Sequence, residues 1–299
     1  KLFNFLTRMG RKGCKMYDLR YNVKENSKVV EIDNYSSVVQ TAQADDLSGR
    51  YSFIPTTRVL DVLKNEGWTP ANVRESRTLR DETRGFQKHA IRLRNPGIKI
   101  ENTKDNLFPE IILTNSHNGL ASFQIMAGIF RQICSNGLCV ADSMFQVHRI
   151  RHMGYTNDKV LEAVYSVIKS LPAITGKVGE FQSIRLNAEE KQVFAESILD
   201  VVFDAETWEK GKTPGTTPDR RNTASMLMLP RRSEDREDNL WNIYNRAQEK
   251  IIKQGVTVIS ENPRYRVRNK TREVKAIDRD IKLNKALWLL TERMAELKK

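Results

Sequence analysis

The sequence predicts an α+β fold: an antiparallel β-meander backed by a central apolar helix, with a mainly helical C-terminal half. Alternating apolar and charged residues between positions 70 and 94 are typical of half-buried strands. Apolar residues recur at helical spacing through most of the chain after position 156. In a chain of 299 residues, a hydrophobic fraction of 39% is enough for a core. We divide the chain into an N-terminal arm (1–50), an α+β core (51–155) and a helical region (156–299).

The α+β core is predicted to begin with a helix from Pro55 to Asn65, which Gly67 ends. Two alternating segments follow, Pro70 to Arg80 and Phe86 to Arg94. The buried run Glu110 to Thr114 is the third strand. Together they form a meander with one apolar and one basic face.

The central helix is predicted over Leu120 to Ile133, because its apolar residues cover more than half of the helical circumference. These residues are Leu120, Phe123, Met126, Ala127, Ile129, Phe130 and Ile133. A strand from Met144 to Arg151 is expected to follow.

Four helices are predicted in the helical region. They are Asp158 to Ser170 with Pro172 after it, a helix capped by Asn187 and Glu190, a helix from Leu240 ended by Gly255, and Asp278 to Leu297. Residues 208–232 are rich in Thr, Pro, Gly and Arg and are predicted to form a long loop.

The charge of the chain favours a polyanionic partner. A formal charge of +13 attracts phosphates, whose neutralisation releases condensed counterions. A mean hydropathy of −0.55 and the lack of a long apolar run exclude a membrane-spanning helix. Export is not expected, because the apolar stretch before Arg8 is too short for a signal peptide. Three cysteines fit a reducing compartment, the cytoplasm of a bacterium or of a phage-infected host cell.

Two groups of cations are the predicted nucleic-acid contacts. On the sheet they are Arg74, Arg80, Lys88, Arg92 and Arg94. In the basic stretch 264–272 they are Arg264, Arg266, Arg268, Lys270 and Arg272, with Tyr265 placed to stack on a base. The structural alternatives stay open: the sheet cations pair with nearby carboxylates, and the basic stretch is an edge strand protected by its charges.

Other constellations do not predict an active site. Ser116 and His117 are adjacent, which rarely gives the hydrogen-bond geometry of a nucleophile and its base. The loop from Asn115 to Gly119 is therefore read as a polar network, with phosphate binding at a helix N-terminus as the alternative. A zinc site is not expected, and its candidate ligands are interpreted as core cysteines (Cys134, Cys139) and surface histidines (His148, His152). No cofactor is predicted, because no Gly-rich phosphate-binding motif occurs.

Two stretches resemble a known family. The run from Ile111 to Gly119, followed by Phe130 to Leu138, is similar to the signature of a phage and plasmid family catalogued as domain of unknown function 932. The segments Asp278 to Asp280 and Leu283 to Trp288 resemble its C-terminal pattern. The resemblance covers most of the chain from Tyr51 onward and implies no particular activity.

A second resemblance is topological. A helix ending at Gly67 and Trp68, then three strands, then a long apolar helix, is similar to the core of single-strand annealing recombinases (Rad-fifty-two-like, Erf and RecT/Redβ proteins). This resemblance implies a basic groove for single-stranded DNA and protomers that join in rings.

We therefore expect a nucleic-acid-binding accessory protein of a phage or mobile element. It would bind or anneal single-stranded DNA as a homo-oligomer, without bond chemistry and without a membrane. RNA and duplex DNA stay open as ligands. The alternatives are a protein-interaction module, such as a phage inhibitor of host defence, and a metal-dependent nuclease. Changing Arg92 and Arg94 to Ala is expected to weaken binding with little effect on the melting temperature.

Overall fold

The computed structural model describes residues 30–98, 107–132, 136–139, 147–152, 156–203, 205–209, 217–262 and 269–299. They fall into two compact units, the described residues up to 173 and those from 174. The first unit contains an antiparallel sheet and the second is mainly helical, which confirms the α+β class. None of the described helices combines the length and the apolar character that a membrane crossing requires.

The first unit is built on one antiparallel sheet. Its elements are α1 (Thr56–Asn65), β1 (Thr69–Glu75), β2 (His89–Arg94), β3 (Leu107–Asn115), β4 (Phe123–Arg131), β5 (Asn136–Cys139), β6 (His148–Ile150) and the start of α2 (Asn157–Ser183). The strands are ordered β1-β2-β3-β4-β5, and β6 pairs with another part of β4. The sequence therefore predicted the first three strands of a larger sheet.

Helix α1 lies where it was predicted. Its residues Val59, Leu60 and Leu63 are buried, as their helical spacing requires. Gly67 follows the helix with a positive φ of 86°, a conformation that glycine adopts without strain. At the other end, Thr56 Oγ1 lies 2.9 Å from His89 Nε2, so the start of the helix is fastened to β2.

The predicted central helix, Leu120 to Ile133, is wrong: β4 occupies this stretch as Phe123–Arg131. Side chains on both faces of β4 are buried, including Ile125, Met126 and Ile129. A strand buried on both faces has no alternation of apolar and polar residues, so its apolar run also matches a helical pattern. The sheet is therefore not backed by this helix, and the topological basis of the annealing-recombinase resemblance is lost.

The first strand is shorter than predicted. Strand β1 ends at Glu75. One more backbone hydrogen bond follows it, in which Ser76 N donates to Lys88 O at 2.7 Å. Leu79, predicted to share a buried face with Val73, is fully exposed. The alternation of residues 76–80 therefore belongs to a loop, which also contains Arg80.

Residues 30–50 of the predicted arm pack on the first unit. Val38 is fully buried, and backbone bonds join Val30 N to Pro70 O and Ala44 N to His117 O. Residues 1–29 lie outside the described part of the chain.

Helix α2 is longer than predicted and contains Pro172. The apolar pattern continues past the proline, and Ile174, Val178 and Phe181 are all buried. The burial of this face explains why the helix continues, although proline removes one backbone hydrogen bond.

The second unit contains helices around one buried helix. After the end of α2 come α3 (Ala188–Val202), α4 (Glu206–Glu209), α5 (Arg220–Met228), α6 (Leu240–Glu249), β7 (Thr257–Val258), β8 (Asn269–Lys270) and α7 (Ile277–Glu296). All ten residues of α6 are buried. The capping box of Asn187 and Glu190 is present, and Gly255 follows the π-helical turn Lys250–Gln254.

The prediction of a loop over residues 208–232 is wrong for the middle of this range, where residues 220–228 form α5. The side chain of Asp219 caps this helix by accepting a hydrogen bond from Asn222 N at 2.9 Å. Ala224, Leu227 and Met228 are buried at helical spacing. These signals were present in the sequence, but the Thr, Pro and Gly around them outweighed them.

Candidate nucleic-acid interface

Three of the predicted cations lie on one face of the sheet. Directly paired residues of antiparallel strands point to the same side. Arg74 pairs with Ala90, and Arg92 and Arg94 follow Ala90 at intervals of two. The sequence therefore predicted the relative orientation of Arg74, Arg92 and Arg94.

Glu110 changes what two of these arginines do. Its carboxylate is fully buried and accepts hydrogen bonds from Arg92 Nη1 and Arg94 Nε, both at 2.7 Å. The Arg94 guanidinium also lies 3.3 Å from the centre of the Phe130 ring. Both arginines thus have a structural role, and contact with nucleic acid stays a prediction for them. Glu110 of β3 pairs directly with Arg94 of β2. The apolar sequence of β3 predicted a buried strand, but it did not indicate that Glu110 lies opposite Arg94.

The other predicted contacts are dispersed. Arg80 is exposed in the loop after β1, while Arg74 and Lys88 are half-buried and have partners of their own. Lys270 and Arg272 are exposed in the second unit. The remaining predicted contacts, Arg264, Tyr265, Arg266 and Arg268, lie outside the described residues.

A basic groove lies between strand β6 and the first half of α2. Its volume is about 510 Å³. The lining residues are His148, Arg149, Ile150, Arg151, Lys159, Glu162, Ala163 and Ser166. Arg149, Arg151 and Lys159 are cations and Glu162 is an acid, so the described lining has a net positive charge. We call this site the β6 groove.

Arg149 and Arg151 are the most available cations of the β6 groove. Both are exposed, and within the described ranges no carboxylate pairs with either. They lie two positions apart along one strand direction, which separates such side chains by about 6.6–7 Å. Lys159 in the first turn of α2 lines the opposite wall. The sequence carried this signal, because Ile150 between two arginines is an alternating pattern within the predicted strand from Met144 to Arg151.

The β6 groove is connected to the predicted sheet face by register. Arg149 pairs with Gln124, which pairs with Thr114, which pairs with Ala90, the partner of Arg74. Arg74 and Arg149 therefore mark the two ends of one row on the same face. Four strand spacings separate them, a distance of about 19 Å.

Three histidines are buried beside this sheet. His89 and His117 are fully buried with ring centres 5.5 Å apart, and His152 stacks on Tyr51 at 4.5 Å. Burial lowers the pKa of His89 to about 3 and that of His117 to about 4, and it also lowers the pKa of His152. All three are neutral at physiological pH, and the prediction that His152 is a surface residue is wrong.

Each buried histidine holds a residue of the segment 37–56. His117 Nε2 lies 3.0 Å from Ser37 O, His152 Nδ1 lies 3.1 Å from Ser52 O, and His89 contacts Thr56. Because one nitrogen of each buried ring fastens this segment, we assign the histidines a structural role.

The loop from Asn115 to Gly119 connects β3 and β4 and precedes a strand, not the predicted helix. Ser116 N donates to Asn115 Oδ1 at 2.9 Å, and His117 N donates to Phe86 O at 3.0 Å. Ser116 Oγ donates to Ala121 O at 3.3 Å. With these donors used inside the protein, the contacts favour the polar-network interpretation over a phosphate site.

The candidate zinc ligands can be followed only in part. Cys134 and the side chain of Cys139 lie outside what the structure describes, while His148 lines the β6 groove. Within the described part of the chain, no group of three or more His, Cys, Asp or Glu side chains is arranged to hold a metal ion.

Comparison with known proteins shows the family of this chain. It is 34% identical over 258 residues to the UPF0380 protein YafZ of Escherichia coli K12, which covers 86% of this chain and 87% of that protein. The UPF0380 protein YfjQ of the same organism matches with the same identity and coverage. No solved structure matches the chain, and the comparisons give no support to a similarity with annealing recombinases. The model of the family described as "Domain of unknown function (DUF932)" matches residues 45–288, so the chain belongs to this family.

Proposed function

We propose that this protein binds single-stranded nucleic acid, in the first place DNA, by gripping its phosphates in the β6 groove. The observation that carries the proposal is the pair of exposed arginines, Arg149 and Arg151, facing Lys159 across one groove. We place this activity in the cytoplasm, where the protein would act as an accessory factor of a phage or mobile element. Assembly into a homo-oligomer stays a prediction.

The chemistry of the groove suits phosphates. A guanidinium offers several donors in a fixed plane that matches phosphate oxygens, and it stays charged at every physiological pH. Each phosphate neutralised by such a cation releases counterions, so binding weakens as salt rises. The formal charge of +13 on the whole chain adds long-range attraction to any polyanion.

The proposed mode of binding involves no covalent step. A strand held through its backbone keeps its base edges free for a complementary strand, which is sufficient for annealing. The cations among the described lining residues would contact phosphates and not base edges, so we expect little sequence preference.

The decisive experiment measures binding of a fluorescent single strand by anisotropy at several salt concentrations. The variant Arg149→Ala/Arg151→Ala removes both groove arginines. We expect its affinity to fall and its log–log salt slope to decrease by roughly 1.4, since each phosphate contact on a single strand contributes about 0.7.

A matched control removes the same charge from the same unit. Arg58 and Lys64 are exposed on α1, and Arg58→Ala/Lys64→Ala should leave the salt slope unchanged. Equal losses in both variants would remove the groove from the proposal and leave only net charge. A native protein without salt-dependent binding to any nucleic acid would refute the function itself, and Mg²⁺-dependent cleavage would replace it by a nuclease.

A further inference from the structure

A second basic surface lies on the second unit. Its members are exposed cations of β8, of the segment after it, of the first two turns of α7 and of the π-helical turn: Lys253, Lys270, Arg272, Lys275, Arg279 and Lys282. We call it the β8–α7 surface. It is separate in sequence from every residue of the β6 groove.

Backbone pairing brings these cations together. Lys270 pairs with Thr257 across β7 and β8. The same alignment continues beyond the strands, where Thr271 N donates to Val256 O and Val274 N donates to Ile252 O, both at 2.9 Å. Lys253 therefore lies beside the segment 273–275, next to the cations that lead into α7.

Helix α7 presents its cations on one side. Arg279 and Lys282 are three residues apart and lie on one helical face, and Lys275 lies two residues before the helix begins. The opposite side packs into the second unit through Asp280, Asn284 and Leu287, which are all buried. The cations therefore project outward by the geometry of the helix.

The surface has a clear charge imbalance. Two exposed acids, Glu273 and Asp278, lie among its six cations, and Lys253 also interacts electrostatically with Glu249. Within the described part of the chain, no carboxylate or hydrogen-bond acceptor engages the side chains of Lys270, Arg272, Arg279 or Lys282. Like charges at such short spacing repel one another, and a bound polyanion relieves that repulsion.

We infer that the β8–α7 surface is a second phosphate-binding site, so that one chain holds two nucleic-acid strands, one on each unit. The inference rests on the proposed function of the β6 groove. Both sites contact the backbone, and both strands therefore keep their bases available. A chain with two such sites raises the local concentration of one strand near the other.

A bridging assay tests this inference with the 299-residue chain. One single strand is fixed to beads, protein is added, and capture of a second, non-complementary fluorescent strand is measured. We expect the native protein to capture the second strand. The variant Arg279→Ala/Lys282→Ala should still bind the first strand through the groove but lose capture of the second.

The control variant is Arg221→Ala/Arg236→Ala, which removes two exposed arginines of the same unit outside this surface. It should bridge like the native protein. Full bridging by Arg279→Ala/Lys282→Ala would overturn the second site. Equal weakening of first-strand binding and bridging would show one continuous track and would also overturn it. Failure of the native protein to bind even the first strand would instead refute the proposed function.

Discussion

Glu110 determines what the neighbouring arginines contribute to the molecule. Its carboxylate is buried on the central strand β3, and Arg92 and Arg94 of β2 both donate to it. From the sequence, the alternation in β2 predicted that these arginines share a face. It could not predict their partner, because the pairing register that places Glu110 opposite Arg94 depends on the loop between the strands.

This arrangement reverses the expected effect of substituting the arginines. In Arg92→Ala/Arg94→Ala, the Glu110 carboxylate stays buried without either cation. We expect the free energy of unfolding to fall by about 3–5 kcal/mol, which is the cost of removing one partner of a buried ion pair. Urea denaturation measures it.

The control for this prediction is Arg77→Ala/Arg80→Ala, which changes two exposed residues of the loop after β1. Its stability should stay within about 0.5 kcal/mol of the native value. A native-like urea midpoint for Arg92→Ala/Arg94→Ala would mean that Glu110 is not held as described, and would restore these arginines as candidates for nucleic acid.

The buried histidines predict a loss of stability in acid. The folded-state pKa values of His89 (about 3) and His117 (about 4) lie below the ordinary value of 6.5. Between these limits the unfolded chain binds protons that the folded chain does not. The stability is therefore complete above pH 6.5 and decreases as the pH falls towards 4, by about 1.4 kcal/mol per pH unit for each histidine.

Urea denaturation at pH 7.5, 5.5 and 4.5 measures this dependence. In His117→Gln, which removes one titrating group, the slope between pH 5.5 and 4.5 should be smaller by about 1.4 kcal/mol per pH unit. A slope equal to that of the native protein would show that His117 is accessible to protons in the fold.

Apolar spacing predicted most of the helices, whereas burial on both faces concealed one strand. Helices α1, α3, α6 and α7 lie where apolar spacing placed them. The predicted capping box is present in α3, while α1 and α7 begin without a side-chain cap. Strand β4 was mistaken for a helix because its environment, a sheet covered on both sides, is a property of the tertiary fold. Helix α5 was missed because its Asp219 cap stands in a segment rich in turn-forming residues.

The π-helical turn is followed by Gly255, a position whose backbone conformation requires a residue without a side chain. Its φ of 81° with ψ of 146° is a conformation that is essentially restricted to glycine. A Cβ atom there would also overlap the carbonyl group of Thr271. We expect Gly255→Ala to lower the free energy of unfolding by more than about 1–3 kcal/mol, the range for backbone strain alone.

Gly176 provides the matched substitution. It lies inside α2 with nothing within 4 Å of the position that a Cβ atom would take. Gly176→Ala should therefore stabilise the protein by roughly 0.5–1 kcal/mol, the difference between glycine and alanine in a helix. Thermal unfolding of both variants checks the pair, and the same sign of change in both would contradict it.

At the scale of the whole molecule, composition indicates a class of partner, which stays a prediction, but it does not indicate a binding site. The surplus of cations belongs to the entire chain, and it indicated a polyanion without specifying where. The β6 groove and the β8–α7 surface emerge only when β6 pairs with β4 and β8 pairs with β7. Such pairings join distant parts of the sequence, and the alternation within one strand does not encode them.

The complete burial of α6 has a consequence for synthesis of the chain. This helix contacts α3, α5 and α7, and α7 (277–296) is the last of these helices to be synthesised. Until α7 has left the ribosome, Trp241, Ile243 and Tyr244 have no complete set of neighbours to exclude water from them. The core of the second unit is therefore complete only after residue 296 has left the ribosome, and premature termination before residue 277 would yield a nascent product that exposes these side chains to chaperones and proteases.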